Sequence, residues 1–296
     1  MSIKRTGKIW LGIGTAAVIG AGGASTASTQ QLAASARLAQ AQLDGAKGGA
    51  PHAGHDAAAP QTAGKPGQDG EGSEGGEGAA ANLDSRVRFF RDMGLIRGHL
   101  LVGDELVKAG LWADALPQFH HPIEELYTWI GVRLKGQGVR QFDGPLKALA
   151  QTVQAKNPDA YANALKVVRQ RMDEAEKAMR KFANPYLQFR MRTVIAMLQA
   201  AAGEYKEALE DGKITKPVEY QDSRGFVLEA EAMLNADAAD LGKKDKAAFE
   251  ATRAALTELA RAWPAPLPPA TAVKDHAQVL ADVSRVELAA SSLTAD

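Results

Sequence analysis

Cysteine does not occur anywhere in the 296-residue chain. Its absence excludes disulfides, thiolate zinc sites and a cysteine nucleophile together. A metal site must then draw on histidine, carboxylate or tyrosine, a donor set that favours iron, copper, zinc or manganese. A surplus of one charge is also missing, since 35 Lys and Arg face 35 Asp and Glu. Proteins that track a phosphate backbone carry a basic excess, so nucleic acid is not an expected partner. There is no Gly-rich phosphate loop, no Gly-x-Ser-x-Gly and no His-Glu-x-x-His. Nucleotide binding and standard hydrolase chemistry therefore have no foothold.

What is present begins with an export signal. Lys4, Arg5 and Lys8 form a basic start, and "IWLGIGTAAVIGAGGA" from Ile9 to Ala24 is apolar and small. "ASTAS" supplies residues suited to cleavage after Ala24 or Ala27, so residues 1–27 read as a signal peptide or signal anchor. The apolar run is glycine-rich and shorter than the ~20 residues of a spanning helix, which favours cleavage. With no cysteine at the site a lipoprotein anchor is excluded. Either version places the chain in the periplasm, touching the membrane only through this segment if it is uncleaved.

Residues 28–81 read as a low-complexity linker. From Gly45 the stretch "GAKGGAPHAGHDAAAPQTAGKPGQDGEGSEGGEGAAA" has almost no large apolar side chain. Such a segment cannot offset its ordering entropy and is expected to be disordered. His52 and His55, in "HAGHD", form a weak candidate for copper or zinc.

From Asn82 to the end the pattern turns to helical periods rich in Ala, Leu, Glu, Lys, Gln and Arg. Asn82, Asp84 and Ser85 are candidate caps for a first helix that stops at Gly110. Proline or Asn/Gly then punctuates each junction, as at Pro145, Asn157–Pro158, Asn184–Pro185, Pro217 and "PAPLPP". A last helix is expected over about 273–293. No stretch reads as a strand. The fold expected over 82–296 is all-α, an antiparallel helical bundle of seven to nine helices.

The densest chemistry lies in "FHHPIEELY", residues 119–127. With Pro122 at the first helical position, His121 becomes the N-cap and Glu124 the third residue, so capping alone can account for the pattern. The same spacing, His121 to Glu124 and His120 to Glu124, puts metal-ligating groups on one helix face with Cβ atoms about 5–6 Å apart. The preceding helix adds His99, beside Gly94, Gly98 and Gly103, which permit close helix approach. A tight hairpin through Gly110 would bring His99 toward 119–124. A second polar concentration, "VEYQDSRGF", carries Glu219 and Asp222 three apart behind Pro217. These are either carboxylates on a helix dipole with an Arg224 ion pair, or hard oxygen ligands facing the histidine hairpin. Pro122–Glu124 and Pro217–Glu219 echo each other, which would place two acidic helix starts in related positions. The candidate metal ligands are thus His99, His120, His121, Glu124, Glu219 and Asp222, and the candidate ions are iron and copper.

Two resemblances attach to these residues. "VGDELVKAGLWADALPQF" resembles one tetratricopeptide hairpin over 99–122, with Gly103, Leu106, Ala115 and Phe119 at its consensus positions. Pro117 interrupts its second helix, and no 34-residue period continues. His121-Pro122-Ile123-Glu124 resembles the His-x-x-Glu part of the Gly-x-His-x-x-Glu motif of imelysin-like periplasmic proteins linked to iron uptake. Phe119 stands where that glycine belongs. The resemblance implies an exported helical fold with His121 and Glu124 as metal-site residues.

Two functional classes follow. One is a non-enzymatic, exported metal-binding protein serving iron or copper uptake or homeostasis, partnered by a membrane transporter or another periplasmic protein. The other is a helical-hairpin scaffold for a protein partner, in which the same polar residues serve as caps and core groups.

Overall fold

The computed structural model describes residues 83–295. The export segment expected over 1–27, the linker over 28–81 and the tail histidines His52 and His55 lie outside the described residues.

Helix starts follow capping residues that the sequence supplies. Helix α1 (Ser85–Lys108) begins at Asp84, whose carboxylate accepts the Arg86 backbone N–H at 2.8 Å. It ends before Gly110, which turns the chain at φ +80°, a conformation glycine adopts without a Cβ penalty. A short turn, α2 (Trp112–Ala115), leads into α3, a continuous helix made of Pro117–His121, a π-helical turn Pro122–Leu126 and Tyr127–Gly136. Then come α4 (Asp143–Gln154) and α5 (Pro158–Met179), the latter capped by Asn157 ahead of its proline. Helices α6 (Tyr186–Ala208) and α7 (Pro217–Ala236) each follow a proline-marked junction. The chain closes with α8 (Ala238–Lys244), α9 (Lys246–Ala260), α10 (His276–Ala289) and α11 (Ser291–Thr294). Counting α3 as one, the described residues hold eight helices of twelve or more residues. The fold is an all-α helical bundle, as the periodicity predicts.

Three local expectations need correction. First, Pro122 does not start a helix. His121 has φ −49° and ψ −46°, fully helical, and makes no side-chain cap. A proline inside a helix lacks the N–H for the bond four residues back. The helix absorbs it by widening, and the Tyr127 N–H donates to the Pro122 carbonyl five residues back, a π turn. Glu124 is therefore no capping residue. Second, a strand pair does occur: Leu209–Glu210 (β1) and Lys213–Ile214 (β2) pair antiparallel. Asp211 and Gly212 have φ of 50° and 73°, the positive values that a two-residue hairpin turn requires. Third, the last long helix starts at His276, because Asp275 and Gln278 exchange hydrogen bonds in a reciprocal capping box.

Helix α1 runs through the interior. Its apolar residues Phe89, Met93, Leu95, Ile96, Leu100, Val102 and Leu106 are all nearly inaccessible, each contributing about 1.5–3 kcal/mol of burial. A helix buried all round must also bury its polar residues, which is costly unless they are bonded. Arg91 accordingly pairs with Asp92 at 2.8 Å, and Asp104 accepts from the Tyr161 hydroxyl at 2.9 Å.

Helix α7 packs chiefly on α6 and α1. At its crossing with α1, glycine meets glycine. A Cβ on Gly98 would lie 2.8 Å from both the carbonyl carbon and oxygen of Gly225, and a Cβ on Gly225 would collide with the Gly98 carbonyl. Backbone touches backbone there. Gly103 does its work elsewhere on α1, since a Cβ on it would lie 2.7 Å from the Phe119 ring of α3. Two residues of the tetratricopeptide-like hairpin therefore do meet. None of the helices among the described residues is long and apolar enough to cross a membrane.

Candidate metal centre

The Gly98–Gly225 crossing brings His99, one residue on from Gly98, within reach of Asp222, one helical turn before Gly225. Helix α3 supplies His121 from a third direction. One ligand atom from each of His99, His121 and Asp222 lies within 4.8 Å of the others. His121 Nδ1 stands 3.0 Å from Asp222 Oδ2, and His99 Nδ1 3.2 Å from Oδ1. The imidazole planes are near perpendicular, with centroids 5.7 Å apart. Phe226 closes one side, its ring edge-to-face with His99 at 5.0 Å.

Gln118, on the first turn of α3, ties the group together. Fully buried, it donates from Nε2 to Asp222 Oδ1 at 2.6 Å, while its Oε1 lies 3.1 Å from His99 Nδ1. Both neighbours of His99 Nδ1 are acceptors, so that nitrogen carries the proton. The same holds at His121 Nδ1, which donates to Asp222 Oδ2. Gln118 sits three residues before His121, and that same-face spacing was the available signal for it.

The other candidate ligands fall apart. Glu124 is 65% exposed and has His120 Nδ1 at 3.8 Å, with His120 itself 43% exposed. This pair faces solvent on the flank of α3, and neither residue joins the converging set. The His-x-x-Glu pairing of the imelysin-like resemblance is thus not formed, because the continuous helix points His121 at Asp222. Glu219 is half-buried and stands outside the converging set. Burial first, and then the Asp222 charge, pushes its carboxyl above the usual range. Arg224 pairs with Glu105 of α1, as the sequence suggested for that arginine only in kind and not in partner.

Asp222 is buried, which by itself raises a carboxyl pKa. The charge of His99 and the hydrogen bonds from His121 and His99 outweigh that and hold it well below the usual carboxylate range. For His121, burial alone lowers the value, but the hydrogen bond and charge of Asp222 prevail over it and over His99, leaving the imidazole raised. These directions fix a pH response. A depressed Asp222 contributes stability that is present above its unfolded value near 3.9 and lost as pH falls through its folded value. A raised His121 contributes stability that is present below about 6.5 and lost as pH rises through its folded value. Both contributions are present together at about pH 5–6.

The ion-free protein is accordingly expected to lose stability as pH rises from about 6 into the mildly alkaline range. Glu229, pushed up to about 7 by burial in a groove between α1, α5, α6 and α7, slopes the same way. The informative quantity is therefore the difference from His121→Asn, read as urea midpoints across that range. Parallel profiles for the two proteins would remove His121 from the account.

A family model described as an iron permease-associated 4-helix bundle domain matches residues 183–295. The four long helices in that stretch are α6, α7, α9 and α10. Neither a curated protein nor a solved structure matches the chain. The matched bundle contributes Asp222 and Glu219, whereas His99, Gln118 and His121 come from helices that precede it. Over residues 183–295, then, this chain is similar to the iron permease-associated 4-helix bundle domain, and that similarity relates it to iron uptake.

Proposed function

We propose that this chain is a periplasmic, non-enzymatic accessory of iron uptake, which holds a transition-metal cation between His99, His121 and Asp222 for a membrane iron permease. The observation that carries the reading is the convergence of those three side chains from three helices within 4.8 Å. Two imidazoles and one carboxylate, with positions left for water or a further ligand, are a donor set that suits ferrous iron. The match to an iron permease-associated bundle supports iron over copper as the cargo. The basic, apolar N-terminal segment supports export.

Loading has a proton cost. Both Nδ1 atoms point their protons at acceptors, so a cation held through Nδ1 must displace them. Affinity is then expected to fall as pH drops, with proton release on binding.

A second reading draws on a specific observation: Asp222 already accepts from His121 and Gln118 and lies beside His99. The cluster can therefore serve as a self-contained polar tie between α1, α3 and α7 in a protein-binding scaffold.

Calorimetric titration separates the two. The protein should carry no affinity His-tag and have His52 and His55 replaced by alanine, so that only the bundle reports. Anaerobic Fe(II), and Cu(II) in parallel, are expected to bind with one equivalent, weakened by about 100-fold or more in His99→Ala, His121→Ala or Asp222→Asn. Glu124→Ala should bind like the parent. Equal binding by parent and ligand variants would leave only the scaffold reading.

A further inference from the structure

Of the three converging side chains, only His121 keeps an appreciable exposed surface. The His99 side chain is fully buried and that of Asp222 is 5% exposed, whereas His121 keeps 24% of its side-chain surface. His121 is therefore the ligand that solvent reaches most readily. Two carboxylates flank it by helical spacing. Glu219 lies three residues before Asp222 on α7, and Glu125 lies four after His121 on the π turn of α3. Each spacing puts the carboxylate on the same helix face as its ligand.

We propose that Glu125 and Glu219 form the mouth through which a divalent cation enters the buried His99–His121–Asp222 centre. This rests on the reading of that centre as a metal site. The electrostatics agree with the placement: the Glu125 charge acts on His121, and Glu219 feels both Asp222 and His121. Glu219 is not one of the three converging ligands, so its task is delivery and not coordination. Acidic groups at a narrow opening with low-dielectric walls focus the field and raise the local cation concentration, which speeds capture by about 10- to 1,000-fold. Glu124, on the solvent face beside His120, takes no part.

The test is stopped-flow loading of the full chain, in the His52→Ala/His55→Ala background, with Co(II) followed by its visible absorption. Glu125→Gln/Glu219→Gln is compared with the parent, and Glu124→Gln serves as the surface control. The double variant is expected to load about tenfold more slowly at about 10 mM salt. That gap should shrink to about twofold at about 0.5 M salt, where screening reaches only a few ångströms. Dissociation rates should agree within about twofold, since steering acts on association. Parent-like loading at low salt overturns the mouth. So does a faster dissociation that persists at high salt, which would make Glu219 a ligand. Should the parent itself fail to bind Co(II), the metal reading of the centre falls and the mouth with it.

Discussion

Asp222→Ala is expected to destabilise the protein by about 3–5 kcal/mol near pH 6, the cost of removing one partner from a buried charged cluster. The buried Asp222 carboxylate accepts from the Gln118 amide at 2.6 Å and from His121 Nδ1 at 3.0 Å. His99 Nδ1 lies 3.2 Å from its other face. Alanine leaves these donors without that acceptor, at about 1–3 kcal/mol for each that stays buried and finds no other. It also takes away the anion that keeps His121 protonated, so the variant should lose the His121 share of the parent's fall in stability with rising pH, while the Glu229 share remains.

Asp222→Asn keeps the volume and one acceptor oxygen but turns an amide NH₂ toward a donor. Its cost should be smaller, about 1–3 kcal/mol. Urea denaturation followed by circular dichroism gives both values from the midpoints, provided that the slopes match. A cost below about 1 kcal/mol for the alanine variant would mean that the carboxylate does not hold these helices together.

The second large effect belongs to a residue with no side chain. Gly225→Ala places a methyl group against the Gly98 carbonyl, and Gly98→Ala places one 2.8 Å from the Gly225 backbone. Main-chain atoms cannot rotate away, so the two helices must separate. Overpacking of this kind costs about 3 kcal/mol at the upper end of its range. Alanine returns up to about 1 kcal/mol of helix propensity, which leaves a net loss of about 2 kcal/mol. Separation also moves His99 away from Asp222, so metal affinity should drop with stability. Gly136→Ala is the control, because nothing lies within 4 Å of a Cβ at that position. Propensity then acts alone, and the control should be neutral or stabilised by up to about 1 kcal/mol. If Gly225→Ala unfolds at the parent's urea midpoint, the backbone contact does not form in solution.

The sequence made His99 and His121 legible as a pair, because a hairpin through Gly110 brings their helices together. It also marked Asp222 as polar and helical. It did not reveal that Asp222 and not Glu124 completes the cluster. Glu124 stands out only by proximity in the chain, which counts for little once Pro122 is absorbed into a π turn instead of starting a helix. Gly98 was visible as a site of close approach, but its partner was not, since nothing in a single sequence says which helix crosses α1 there. Gln118 is hard to read from sequence because a neutral amide shows no charge pattern. Its meaning depends on a buried acceptor 104 residues away. The helices themselves were legible from local signals, namely caps, prolines and period. The hairpin at Asp211–Gly212 is not legible because its two-residue strands are too short to show alternation.

The division of the centre between the matched bundle and the helices before it has a consequence in terms of linkage. Asp222 reaches back 101 residues to His121, so neither portion of the chain forms the three-residue cluster alone. A cation bound there with dissociation constant Kd would add RT ln(1 + [L]/Kd) to the docking of α1 and α3 against α7. That amounts to about 2.7 kcal/mol when the free ion stands at about 100 times Kd. Cargo and architecture would thus share one equilibrium: anything that pries α1 from α7 lowers the affinity for the ion, and a bound ion resists the prying to the same degree.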